Sequence, residues 1–168
     1  MAITRQKKTE ILRELAESVS DALSMVFVRF KGLSVKEANE LRTALKAQNV
    51  RYRVTKKTLL KRALDAGNII GNTPELEGEV AFAYLSKQKG DDITAPARNI
   101  HGFVKKSKGR LTFLGGIIEG RFLSKEEVET VAAIPPTPVL RGMFVNVINS
   151  PIQRMVIALD AIAQKKTS

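Results

Sequence analysis

The chain has 168 residues, with Lys+Arg 28 against Asp+Glu 17, a formal net charge of +11 and a pI near 10.1. Such a field attracts polyanions such as RNA, DNA or an anionic membrane surface without choosing among them. The chain has no cysteine, which excludes a disulfide scaffold, a thiol nucleophile and a thiolate metal site, and fits a reducing compartment.

The opening residues MAITRQKKTE lack an apolar signal core. Later apolar runs are broken by Arg, Asn, Asp or Pro short of a bilayer span. The expectation is a soluble, intracellular protein. A first helix is expected from about Thr4 to Ala22, because Ile11, Leu12, Leu15, Val19 and Leu23 recur at helical spacing. Met25 to Val28 is a short apolar run and reads as a buried strand. The chain then turns through Arg29-Phe30-Lys31-Gly32. Ser34 and Glu37 form a capping box for a helix through Ala38, Leu41, Leu45 and Val50.

Arg51 to Val54 alternates like a strand, with Tyr52 and Val54 on an inner face and Arg51 and Arg53 on the outer one. Thr55 is placed to cap the next helix, whose apolar stripe is Leu59, Leu60, Ala63 and Leu64 and whose stop is Gly67. From Arg51 to Arg62 the run RYRVTKKTLLKR carries no acid. Lys56 and Lys57 fall at the start of that helix, where cations oppose the helix dipole while the free backbone amides favour an anion. Two lysines there are locally unfavourable unless an anion binds. A solvated face is the alternative reading of such a run.

The middle of the chain is more acidic and richer in turns. Asn72 to Glu79 reads as loop, Val80 to Leu85 as strand, and Thr94 to Lys106 as a helix with Pro96 in its first turn. Leu111 to Ile118 reads as a strand with a bulge at Gly115-Gly116. Ser124 and Glu127 form a second capping box, starting a short helix on Val128, Val131 and Ile134.

Pro135-Pro136-Thr137-Pro138 is expected to interrupt regular structure and to end the first domain. Three segments follow: residues 1–134 as an α/β domain, 135–138 as a proline-rich linker, and 139–168 as a helix. In that tail Leu140, Met143, Phe144, Val147 and Ile148 follow helical spacing. Ile152, Met155, Val156, Leu159 and Ile162 do so again beyond Pro151, where a kink or restart is expected. The stripe can fold back on its own domain, lie on a membrane, or hold a partner helix. The linker and the repeated stripe favour a partner. The polar face, with Asn146, Asn149, Gln153 and Asp160, is too weakly basic for a membrane surface.

Catalytic signatures are weak. His101 is the single histidine, and neither a metal site nor an acid-base constellation can be assembled around it. Gly115-Gly116-Ile-Ile-Glu-Gly120-Arg121 lacks the ending and spacing of a phosphate loop. No enzyme activity, cofactor or metal is expected.

The chain resembles the bacterial large-subunit ribosomal protein ten family, the base of the ribosomal stalk. Lys31-Gly32-Leu33-Ser34 with Glu40-Leu41-Arg42 carries the first part of the likeness. Tyr52-Arg53-Val54, followed by Lys56-Lys57-Thr58-Leu59-Leu60-Lys61-Arg62-Ala63, carries the second. The third is the architecture: a compact α/β domain with a mixed sheet flanked by helices, then an extended amphipathic C-terminal helix.

The resemblance implies an N-terminal domain that binds large-subunit ribosomal RNA. It implies a C-terminal helix that anchors dimers of the small acidic stalk protein, beside neighbouring large-subunit ribosomal proteins. Those dimers recruit translational GTPases. The residues expected at the RNA are Lys31, Gly32, Arg53, Lys56, Lys57, Lys61 and Arg62. The stalk protein is expected on Leu140, Met143, Phe144, Val147, Ile148, Ile152, Met155, Val156, Leu159 and Ile162. The alternative is a DNA-binding regulator with a dimerising C-terminal helix, although a strand separates the helices that would form its helix-turn-helix.

Overall fold

A computed structural model describes residues 5–67, 69–71, 73–87, 92–107 and 109–167. In chain order the elements are α1 (Arg5–Asp21), β1 (Ala22–Phe30), α2 (Val35–Ala47), β2 (Val50–Thr55), α3 (Lys57–Ala66), β3 (Val80–Ser86), α4 (Ala95–Lys106), β4 (Leu111–Ile118), β5 (Arg121–Leu123), α5 (Lys125–Ala132) and α6 (Thr137–Thr167). The chain divides into two compact units, Met1–Ile134 and Pro135–Ser168.

In the first unit β1 lies at the centre of a five-stranded sheet of order β2-β3-β1-β4-β5. Ser24 through Val28 are all buried, because helices cover both faces of the sheet. That double cover is why the run is continuously apolar rather than alternating. Met25 and Phe27 pack with Leu15 of α1 and with Leu60 and Leu64 of α3. Val26 and Val28 pack with Leu41 and Leu45 of α2, Ile100 of α4 and Val128 of α5.

The α/β architecture and the trailing helix are as expected, but the sheet is antiparallel rather than mixed. Every strand pairing is antiparallel, apart from one isolated parallel bridge between Ile70 and Arg121. Strands alternating with helices suggest parallel neighbours. Here the β1-α2-β2 and β3-α4-β4 crossovers each step over one strand position. The strand that fills the gap runs the other way, so two split β-α-β units interleave.

Both capping boxes are present, at Ser34 with Glu37 and at Ser124 with Glu127. Helix α2 ends at Ala47 rather than reaching Val50. Asn49 turns the chain at φ 58, a conformation asparagine tolerates better than most residues. Val50 then opens β2. The bulge in β4 is real: Phe27 faces Gly115 and Val28 faces Phe113, which leaves Leu114 extra. A Cβ on Gly116 would stand 2.9 Å from the Met25 carbonyl oxygen and 3.0 Å from Val128 Cγ2, so this strand packs only because the position is bare. The three-residue β5 was not anticipated.

In the second unit α6 is 31 residues long and runs through Pro151 without restarting. It begins inside the segment expected to be unstructured. Val139 and Leu140 donate their N–H groups to the Pro136 carbonyl at 2.9 and 3.1 Å. Pro138 is tolerated there because first-turn amides have no partner within the helix.

Candidate nucleic-acid interface

The sheet register gathers part of the basic run. Arg29 of β1 and Thr55 of β2 both stand opposite Val80 of β3. The chain therefore leaves β1 at Lys31-Gly32 and β2 at Lys56-Lys57 on the same end of the sheet. These exits lie two strand spacings apart, about 10 Å. Lys31 and Gly32 are exposed. The Lys31 amide donates to the Arg110 carbonyl at 2.8 Å, and Gly32 makes the turn at φ 65, a conformation that costs glycine nothing.

Helix α3 starts differently from expectation. Its N-cap is Lys56 rather than Thr55, and no side chain caps it. Thr55 completes β2 opposite Val80, and its Oγ1 is buried with no hydrogen-bond partner among the described residues. The start of α3, at Lys56 and Lys57, is thus left without a side-chain cap. Lys61 lies one turn beyond Lys57 on the same side of the helix. Lys56, Lys57, Lys61 and Arg62 are all exposed, while Leu59, Leu60, Ala63 and Leu64 are buried.

Arg53 is turned elsewhere. Its Nη1 donates to Glu14 Oε2 of α1 at 2.9 Å. Arg51 Nη1 reaches the Tyr84 hydroxyl at 3.4 Å; that hydrogen bond, with the Asp21 carboxylate nearby, raises the guanidinium pKa further. A run free of acids in sequence therefore meets acids in space. Glu75 and Glu77 likewise share a depression with Lys57 and Lys61, and Glu77 pairs with Arg29 at 3.5 Å. Tyr52 is half-buried against the core, and burial raises its phenol pKa. Val54, expected on the covered face with Tyr52, is 47% exposed.

All ten expected contact residues of α6, from Leu140 to Ile162, are exposed. Val139, Val145 and Ile157 are exposed as well. The apolar surface of α6 is therefore wider than one stripe, and such a surface calls for burial. Among the described residues no single helix is long and apolar enough to cross a membrane.

The sequence pattern of the family described as ribosomal protein L10 matches residues 3–105. This chain belongs to the ribosomal protein L10 family. Its likeness to individual relatives extends over nearly the whole chain. The large ribosomal subunit protein uL10 of Staphylococcus epidermidis is 34% identical over 165 residues, covering 98% of this chain and 96% of the relative. Those of Staphylococcus aureus and Shouchella clausii are 33% and 32% identical over 166 residues, covering 99% of this chain and 97% of each relative. As an L10-family member the chain is a structural protein of the large ribosomal subunit rather than an enzyme, and in bacteria the ribosome is cytoplasmic.

One basic cluster of this L10-family chain escaped the sequence reading. Arg42 and Lys46 of α2 line a cleft of ≈ 530 Å³ with Asn49, Arg51, Tyr52 and Arg53, and among the described residues no acid lines it. Arg42 and Lys46 stand four apart, so their shared helix face was legible. Their meeting with β2 was not, because it depends on how α2 packs.

Proposed function

We propose that the first unit binds large-subunit ribosomal RNA through the sheet end that carries Lys31, Gly32, Lys56 and Lys57, with Lys61, Arg62 and Arg53 extending the contact. The second unit holds dimers of a small acidic stalk protein on α6, beside neighbouring large-subunit proteins, and so supports recruitment of translational GTPases. The observation that carries this reading is α6: a helix of 31 residues whose large apolar side chains all stand exposed needs a partner to bury them. Cations at the uncapped start of α3 support the RNA half, since they neutralise phosphates while free amides donate hydrogen bonds to them.

The test uses the full chain with deproteinised large-subunit rRNA, with duplex DNA of equal charge, and with the small acidic ribosomal protein. Preferential rRNA binding and a stoichiometric complex with the acidic protein are expected. Equal affinity for duplex DNA would favour a DNA-binding regulator with a dimerising helix. That reading is weakened by β2, which separates α2 from α3.

A further inference from the structure

We infer that the cavity beside the start of α3 receives one unstacked base of the bound RNA. The inference rests on the RNA-binding reading above and adds a contact that phosphate neutralisation does not supply. The cavity measures ≈ 650 Å³, within the range of small-ligand pockets. Ile11, Phe30, Val54 and Leu59 form apolar walls, with Lys56 and Lys57 among the lining residues. A surface built only for phosphates has no use for such walls. Val54 at 47% exposure and the half-buried Phe30 are instead suited to the face of a base, as aromatic and apolar platforms are in single-strand recognition.

Two polar groups favour a base over a second phosphate. Thr55 lines the cavity, and its Oγ1, closed off from solvent, has no hydrogen-bond partner among the described residues, a deficit that the edge of a base fills if the wall yields on binding. Glu79 also lines it. Its backbone is fixed by the Phe30 N–H, which donates to the Glu79 carbonyl at 3.2 Å. A carboxylate repels a phosphate but accepts hydrogen bonds from the amino and imino edge of a base. The flanking phosphates then fall to Lys56, Lys57 and the uncapped amides of α3.

The full chain is titrated with deproteinised large-subunit rRNA at several salt concentrations. Thr55→Val combined with Val54→Ala should weaken binding about tenfold while leaving the slope of log affinity against log salt unchanged, because no phosphate contact is lost. Its melting temperature should not fall through Thr55, whose hydroxyl has no partner to lose among the described residues. Lys57→Ala should instead lower the slope by about 1. A photo-crosslinking side chain placed at Val54 should label one nucleotide. Wild-type affinity in the double variant, or a crosslink in whole subunits to protein alone, overturns the base cavity and leaves RNA binding standing. Failure of the wild-type chain to bind the rRNA overturns both.

Discussion

Arg53 on the edge strand β2 is held by Glu14 on α1, Nη1 to Oε2 at 2.9 Å across 39 positions of chain. The two side chains are 46% and 51% exposed, so the pair stabilises the fold by less than about 1 kcal/mol. On the proposed RNA-binding reading its larger effect is on charge, because it occupies a cation that the RNA would otherwise use. Glu14→Gln should therefore raise rRNA affinity about two- to threefold at low salt and change stability by less than about 1 kcal/mol. Filter binding at two ionic strengths reads the first and chemical denaturation the second. No gain at low salt would remove Arg53 from the RNA contact.

The two capping boxes should give the fold an acid-sensitive element. Glu37 accepts the Ser34 backbone N–H at 2.9 Å. That bond, then the Ser34 hydroxyl and the Arg110 charge, holds the carboxyl below its ordinary value of 4.5. Glu127 is lowered in the same way by the Ser124 backbone and side chain, with Arg121 adding its charge. A carboxyl whose pKa is lower folded than unfolded stabilises above the unfolded value, and that stabilisation is lost as pH falls through the folded one. Replacing both by Gln keeps the cap acceptor but removes the titration. The stability profile below about pH 5 should then be flatter than that of the wild type. Ser34→Ala should cost about 1 kcal/mol at neutral pH. Parallel profiles for the Gln variant and the wild type would show that the caps do not titrate with folding.

What could be read in the sequence was local. Ser34 with Glu37 and Ser124 with Glu127 are three residues apart, and their bonds close within one turn, so both boxes appear as expected. The bulge at Gly115-Gly116 carries its own signal. The antiparallel sheet does not, since a crossover that steps over one strand leaves the same hydrophobic pattern as one between neighbours. β5 has three residues, too few to alternate. Thr55 was assigned to a cap on residue type alone, but its strand register with Val80 claims it first. The exposure of the basic run was legible except at Val54, expected inside but 47% exposed, yet its partners Glu14 and Asp21 come from α1, and no spacing announces them.

Removing everything after Ile134 should leave the first unit folded. All five strands and helices α1 to α5 precede that point, and the buried clusters draw only on residues before it. The truncated chain should keep a single cooperative unfolding transition and the rRNA affinity of the full chain within about twofold. A broad, non-cooperative transition would place α6 in the core and deprive the scaffold reading of its free helix.

The two halves of α6 should each hold one partner dimer. Leu140, Met143, Phe144 and Val147 recur in kind as Ile152, Met155, Val156 and Leu159, and all eight are exposed. Because α6 continues through Pro151, ideal helix geometry sets the second stripe about 18 Å along the axis and about 120° around it from the first. Two partners could then sit on different sides of one helix without competing for space. A partner dimer would bury several large apolar side chains on each stripe, enough to stabilise a complex by about several kcal/mol before association costs. Met155→Asp with Leu159→Asp should therefore remove one dimer and leave the other, with α6 itself intact by circular dichroism. Native mass spectrometry of the complex counts the dimers directly. Loss of all partner at once would mean a single continuous site, and full retention would mean that the second stripe faces no partner.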